Sequence, residues 1–228
     1  LERHKTHDRD RCDSDRFPTV DRKSSMDAAL QAGIAVYNAG EYHAAHDAWE
    51  ATWLELDRGS DDECFLHGLI QFTAAVYHAR NQNWSGCVGL CDSAIGYLRQ
   101  LPPTYRGVDL DQVRSALKML KTDPEQIERR PVPPLYYQGM RLTADTLSLE
   151  ALSLAAKTIA TEYGYDSTVV ADASSYATDE AVYGRSKYAG LLTEFILEGD
   201  RRAIVFTRLS QHVDRERAKA DDVRGLFK

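Results

Sequence analysis

The chain has 228 residues, with 35 acidic against 28 basic side chains and a formal net charge of −7. This length suits one good-sized domain, or one domain with a smaller appendage, and the net-acidic, mixed charge disfavours non-specific phosphate binding by a duplex nucleic-acid binder's basic face. The uncharged stretch from Phe65 to Ala79 is fifteen residues, sixteen with Cys64, and already holds two histidines, short of the roughly 18 apolar residues that span a bilayer. Neither nucleic acid nor a membrane is therefore an expected partner.

Aspartate outnumbers glutamate 22 to 13 and arginine outnumbers lysine 20 to 8, the skew expected of a protein adapted to high salt. Cys12, Cys64, Cys87 and Cys91 fall at irregular spacing and do not form a disulfide framework, which points to reduced thiols and a cytoplasmic location. The opening "LERHKTHDRDRCDSDR" has no apolar region and does not read as a signal peptide. Residues 1 to 25 are expected to be a disordered leader, with Met26 as an alternative initiator.

Helical periodicity then dominates from Asp27 to about Leu120. A first helix, 27 to 38, carries Leu30, Ile34 and Tyr37 on one face, and "NAG" ends it. A second is expected from Glu41 to Asp57, and a third from Asp62 to Arg80 after the capping run "RGSDDE". A fourth follows the turn "NQNW", from Trp84 to Gln100, and stops at "LPP". "DLDQVRSALKML", 109 to 120, is a short fifth. Next comes "RRPVPPLYYQG", a proline-set extended connection, and then helices at 147 to 163, 176 to 198 and 200 to 219. "YGYDSTVVADASS" between them reads as a loop or a short strand. The expectation is an all-α fold, a compact bundle of antiparallel helix hairpins. A motif-bearing part is expected at 26 to 125, with the connection and C-terminal helices of 126 to 228 packed on the same domain.

The chemistry concentrates in "YNAGEYHAAHDAWEATW", residues 37 to 53. On a helical wheel His46, Glu50, Trp53 and Asp57 lie within about 60° of one another. Tyr42, Ala45, Trp49 and Leu56 form the adjoining apolar arc. On the third helix His67, Gln71, Ala74 and His78 form a stripe beside the core face. If the two helices pair, His46, Glu50, Gln71 and His78 converge on a polar seam covered by Trp53.

Three stretches, "YNAGEYHAAHDAWEATW", "FLHGLIQFTAAVYH" and "LPPTYRGVDL", resemble the domain of unknown function 309 family of helical-bundle proteins. His46, Glu50 and Trp53 match its His-x-x-x-Glu-x-x-Trp motif. Gly68, Gln71, Tyr77 and His78 match the second motif, and Tyr105, Gly107 and Asp109 the third. The resemblance runs over about residues 30 to 115 and implies an all-α bundle. It brings no activity, substrate or cofactor. His67 departs from the family, where glutamine is more usual.

Structurally, the seam residues would bond to one another and fix how the helices pair. A histidine and a carboxylate four apart also suit a metal or an acid–base pair. Cys64-x-x-His67 with Cys87-x-x-x-Cys91 has zinc-ligand residue types but apolar helical surroundings, so core thiols are expected. Tyr183-x-x-x-Lys187 has no glycine-rich dinucleotide turn beside it and is a chance spacing. Arg201, Arg202, Arg208, Arg215 and Arg217 alternate with acids and read as a solvated helix face. No phosphate-cradling loop or nucleophile elbow occurs. The reading is a structural or partner-binding helical module with no cofactor and no metal, whose partner is another protein or a second copy. The alternative is a metal-dependent or acid–base enzyme acting on a small molecule through His46, Glu50 and His78. Gly68 is expected to admit a close neighbour.

Overall fold

In the computed structural model the backbone is described for residues 19–182 and 186–225, and side chains for 25–182 and 186–222. Most of the expected leader lies outside that range, but the first helix, α1 (Thr19–Asn38), starts inside it. Gly40 ends α1 with φ of 90°, a conformation glycine adopts without a Cβ penalty, and Glu41 N donates back to Val36 O at 3.2 Å. This reversal launches α2 (Tyr42–Leu54). The Ser60 hydroxyl accepts from Glu63 N and caps α3 (Asp61–Arg80). Asn83 caps α4 (Trp84–Leu98) by accepting from Gly86 N. These helices form successive hairpins whose buried faces carry Leu30, Ile34, Trp49, Phe65, Phe72 and Leu98. Gly68 lies against Leu98: a Cβ there would sit 2.5 Å from the leucine Cγ, so the close approach expected from the sequence is present.

Between α4 and the C-terminal helices the sequence reading is corrected in one respect. Four two-residue strands, β1 (Thr104–Tyr105), β2 (Val108–Asp109), β3 (Tyr136–Tyr137) and β4 (Met140–Arg141), form an antiparallel sheet in the order β1-β2-β3-β4. Arg106-Gly107 has φ of 44° and 80°, and Gln138-Gly139 has φ of 50° and 77°. Two successive left-handed residues make the tight hairpin turn whose twist matches paired strands. Val108 pairs with Tyr137 and joins the two hairpins. α5 (Leu110–Thr122) and the single-turn α6 (Gln126–Arg129) lie between them.

The C-terminal helices are α7 (Leu149–Glu162), α8 (Ser167–Ala181), α9 (Lys187–Leu197) and α10 (Arg202–Gly225). Residues 167 to 175, expected as loop or strand, are helical. Asp166 caps α8 by accepting from Thr168 N, and Val169, Val170, Ala173 and Ala177 bury a helical stripe. The β-branched run Thr168-Val169-Val170 imitates a strand locally, but the cap and the packing override that preference. The expected helix 176 to 198 is instead two helices, because Ser186 caps a new one by accepting from Tyr188 N and Ala189 N. One continuous set of buried apolar residues runs from Met26 to Val213. α7 packs on both α1 and α2. No described helix is long and apolar enough to cross a membrane.

Candidate functional site

α2 buries Ala45 and Trp49, as the wheel expects, and exposes polar groups on both flanks. No hydrogen bond among the described residues joins His46 or Glu50 to Gln71 or His78. His46 Nδ1 lies 3.5 Å from Asp47 Oδ1, and His46, Asp47 and Glu50 hold their ligand atoms within 4.8 Å of one another. Gln71 is half-buried on α3 and bonds to none of these groups. His78 Nδ1 accepts instead from the side-chain amide of Asn83, at 2.8 Å, because it sits in the last turn of α3 beside the α4 cap. Trp53 does not cover His46 and Glu50 with a hydrogen bond; its indole N–H donates to Glu63 Oε1 at 2.9 Å. Asp57 falls beyond the end of α2 and is exposed.

Two other clusters form around α2. On the α7 side, His43 Nδ1 donates to Glu162 Oε2 at 2.8 Å, and Asp47 lies one turn further along α2. The His43 ring packs on Tyr77 at 5.1 Å and on His46 at 6.3 Å, measured between ring centroids. Burial raises the Asp47 pKa; His46 and His43 oppose this, and Glu162 and Glu50 add to it. "HAAHDAWE" placed the α2 members in plain sight, whereas Glu162 had no sequence signal.

On the α3–α4 side, Glu63 Oε1 takes the Trp53 N–H and lies 3.2 Å from His67 Nδ1, while Gly59 N donates to Oε2 at 3.3 Å. Burial pushes Glu63 upward, but the bonds from Trp53, Gly59 and His67 outweigh it and leave the carboxyl below its ordinary value. His67 is sandwiched between rings, 4.5 Å from Trp53 and stacked at 3.8 Å on Tyr97. A cleft of about 340 Å³ opens beside this wall, lined by Trp53, Leu54, Leu56, Arg58, Glu63, His67 and Tyr97. Leu54 stands at its lip, 68% exposed. Glu63 read only as a first-turn acid, and Tyr97 went unnoticed.

Cys87 and Cys91 are buried with Sγ atoms 4.0 Å apart, and the hydrogen bond with Cys87, then burial, raises Cys91. Cys64 points its thiol at Glu63 Oε2, 3.8 Å away. The described residues thus do not bring the cysteines and His67 together as a ligand set. Tyr183 lies outside the described residues, and Lys187 pairs with Glu180 and Glu216 at 3.5 Å each.

The third motif builds structure. Gly107 occupies the hairpin turn and Asp109 caps α5 by accepting from Gln112 N. Tyr105 donates to Asp62 Oδ1 at 2.7 Å, and Arg106 grips both Asp62 oxygens at 2.6 Å. Burial and the Asp62 bond push Tyr105 up to about 12. The Arg106 bond holds Asp62 below the usual carboxylate range; burial opposes it and Tyr105 assists. Because the folded pKa lies below the unfolded one, this contribution is complete above the ordinary carboxylate range and is lost as pH falls through the folded value. Urea midpoints measured from about pH 7 to about pH 3 should therefore decline more steeply for the parent than for Asp62→Asn. Parallel curves would contradict this.

No curated protein matches the chain. Residues 30–90, which span the end of α1, all of α2 and α3 and the start of α4, match the model of the family described as Domain of unknown function (DUF309). Over this segment the chain is similar to that family.

Proposed function

We propose that the protein is a partner-binding helical module whose docking site is the cleft at the C-terminal end of α2. The observation that carries this reading is an apolar lip, Leu54, beside a wall of Trp53, His67 and Tyr97 fixed by hydrogen bonding and stacking. Rigid aromatic surfaces bind at low entropic cost, and such residues anchor interfaces. The one cation lining the cleft, Arg58, makes no ion pair among the described residues. The occupant is accordingly a protein segment that presents an apolar side chain next to a carboxylate. The acid–base alternative needs His46, Glu50 and His78 at one point, and the bond from Asn83 to His78 weighs against it. The aspartate excess supports a salt-adapted protein, and the free cysteines support a cytoplasmic location.

The test is fluorescence polarisation with a library of labelled peptides pairing Leu or Phe with Asp or Glu. Peptides that bind the parent should lose about tenfold or more in affinity to Leu54→Asp and to Arg58→Glu, the loss of one interface anchor, and none to His46→Ala. Equal affinity for parent and Leu54→Asp would refute the reading.

A further inference from the structure

We infer that α2 and the last turn of α7 bind a divalent transition-metal ion of the zinc class through His43, Asp47 and Glu162. The three ligand atoms lie within 4.8 Å of one another, close enough for small side-chain rotations to bring them onto one ion. His43 and Asp47 are four residues apart and share a face of α2. Glu162 arrives from 119 positions away because α7 packs on α2. Two ligands on one helix and a third from its neighbour is how helical bundles build metal centres. One imidazole and two carboxylates form a nitrogen–oxygen set that suits zinc, cobalt or manganese better than calcium, which takes oxygen ligands alone.

Asp47 and Glu162 are half-buried, and His43 is exposed and held by its bond to Glu162. His43 is 48% exposed, Glu162 25% and Asp47 35%. This exposure leaves a coordination position for water. Without the ion, a proton on His43 bridges to Glu162. Binding puts the cation in its place: Nδ1 gives up its proton and Nε2 takes one from solvent, so the imidazole stays neutral and changes tautomer. The ion would then tie the family segment to the C-terminal helices. This goes beyond the docking role, and it uses neither Leu54 nor Arg58.

The experiment is titration of EDTA-treated full-length protein with Co²⁺, followed by visible absorption and repeated with Zn²⁺ in competition. Thermal melts without metal confirm that each variant folds. The expected result is one equivalent of bound ion with a ligand-field spectrum. Affinity should fall at least ~10-fold in His43→Ala and in Glu162→Gln, as losses around a metal ligand commonly do, and stay unchanged in Leu54→Asp. His46→Ala and Glu50→Gln should retain the spectrum. Absence of a protein-dependent spectrum would overturn the inference. So would unchanged affinity in His43→Ala and Glu162→Gln, or a loss confined to the His46 and Glu50 variants, which would place the ion on α2 alone.

Discussion

Replacing Arg202 by Met should lower the unfolding free energy by about 3–5 kcal/mol, the cost of removing one partner of a buried ion pair. Arg202 was expected on a solvated helix face but is 4% exposed. Its Nε donates to Phe195 O at 3.0 Å and one terminal nitrogen to Ile196 O at 3.3 Å. Those carbonyls lie in the last turn of α9, where no intrahelical donor remains for them. The same nitrogen donates to Glu41 Oε1, and Tyr163 donates to Glu41 Oε2 at 2.6 Å. One guanidinium therefore caps α9 and ties the start of α10 to the residue before α2. Methionine fills similar volume but satisfies neither carbonyl and leaves the carboxylate with Tyr163 alone. In a chain of this size the loss corresponds to a fall in Tm on the order of 10 °C. Adding Glu41→Leu to Arg202→Met should recover the part due to the stranded carboxylate and not the part due to the carbonyls. Denaturant melts of both single variants and the double variant measure this coupling. A double variant whose cost equals the sum of the singles would contradict it.

The second large effect concerns Gly33 and Trp49. Trp49 is fully buried, and its indole N–H donates to Leu30 O at 3.3 Å. The ring reaches the α1 backbone because Gly33 has no side chain. A Cβ there would sit 2.1 Å from Trp49 Nε1 and 2.3 Å from Cε2, and something would have to move. Trp49→Ala should cost about 3–5 kcal/mol through the lost burial and the cavity left behind. Gly33→Ala should cost about 1–3 kcal/mol or more by expelling the ring. Once Trp49 is alanine, Gly33→Ala meets no ring, and the added methyl should gain up to about 1 kcal/mol of helix propensity. Its effect should therefore change sign between the two backgrounds. Urea melts of the four proteins decide this, and additive costs would show that the contact does not set the α1–α2 spacing.

The helices of residues 27 to 120 were legible because their apolar periodicity and their caps agree. Leu30, Ile34 and Trp49 lie on the faces their spacing assigns. The hairpins of β1 to β4 were not legible, since Arg-Gly and Gln-Gly are weak turn signals next to prolines. Three consecutive β-branched residues hid the start of α8. The polar groups of α2 were visible as residues but not as a site. A wheel gives a direction and not a partner, so it could not report that Glu162 meets His43 or that Trp53 turns towards Glu63. Arg202 was missed for a related reason: alternating charges usually face water, and only tertiary packing shows which one is buried.

The docking claim is tested most directly by the indole N–H resonances of Trp49, Trp53 and Trp84 during titration with the tightest-binding peptide. The Trp53 signal should move in proportion to peptide bound, the Trp49 signal should stay in place, and Leu54→Asp should abolish the movement. A bound peptide that leaves Trp53 unmoved, or a Trp53 shift of equal size in Leu54→Asp, would contradict a binding site at the end of α2.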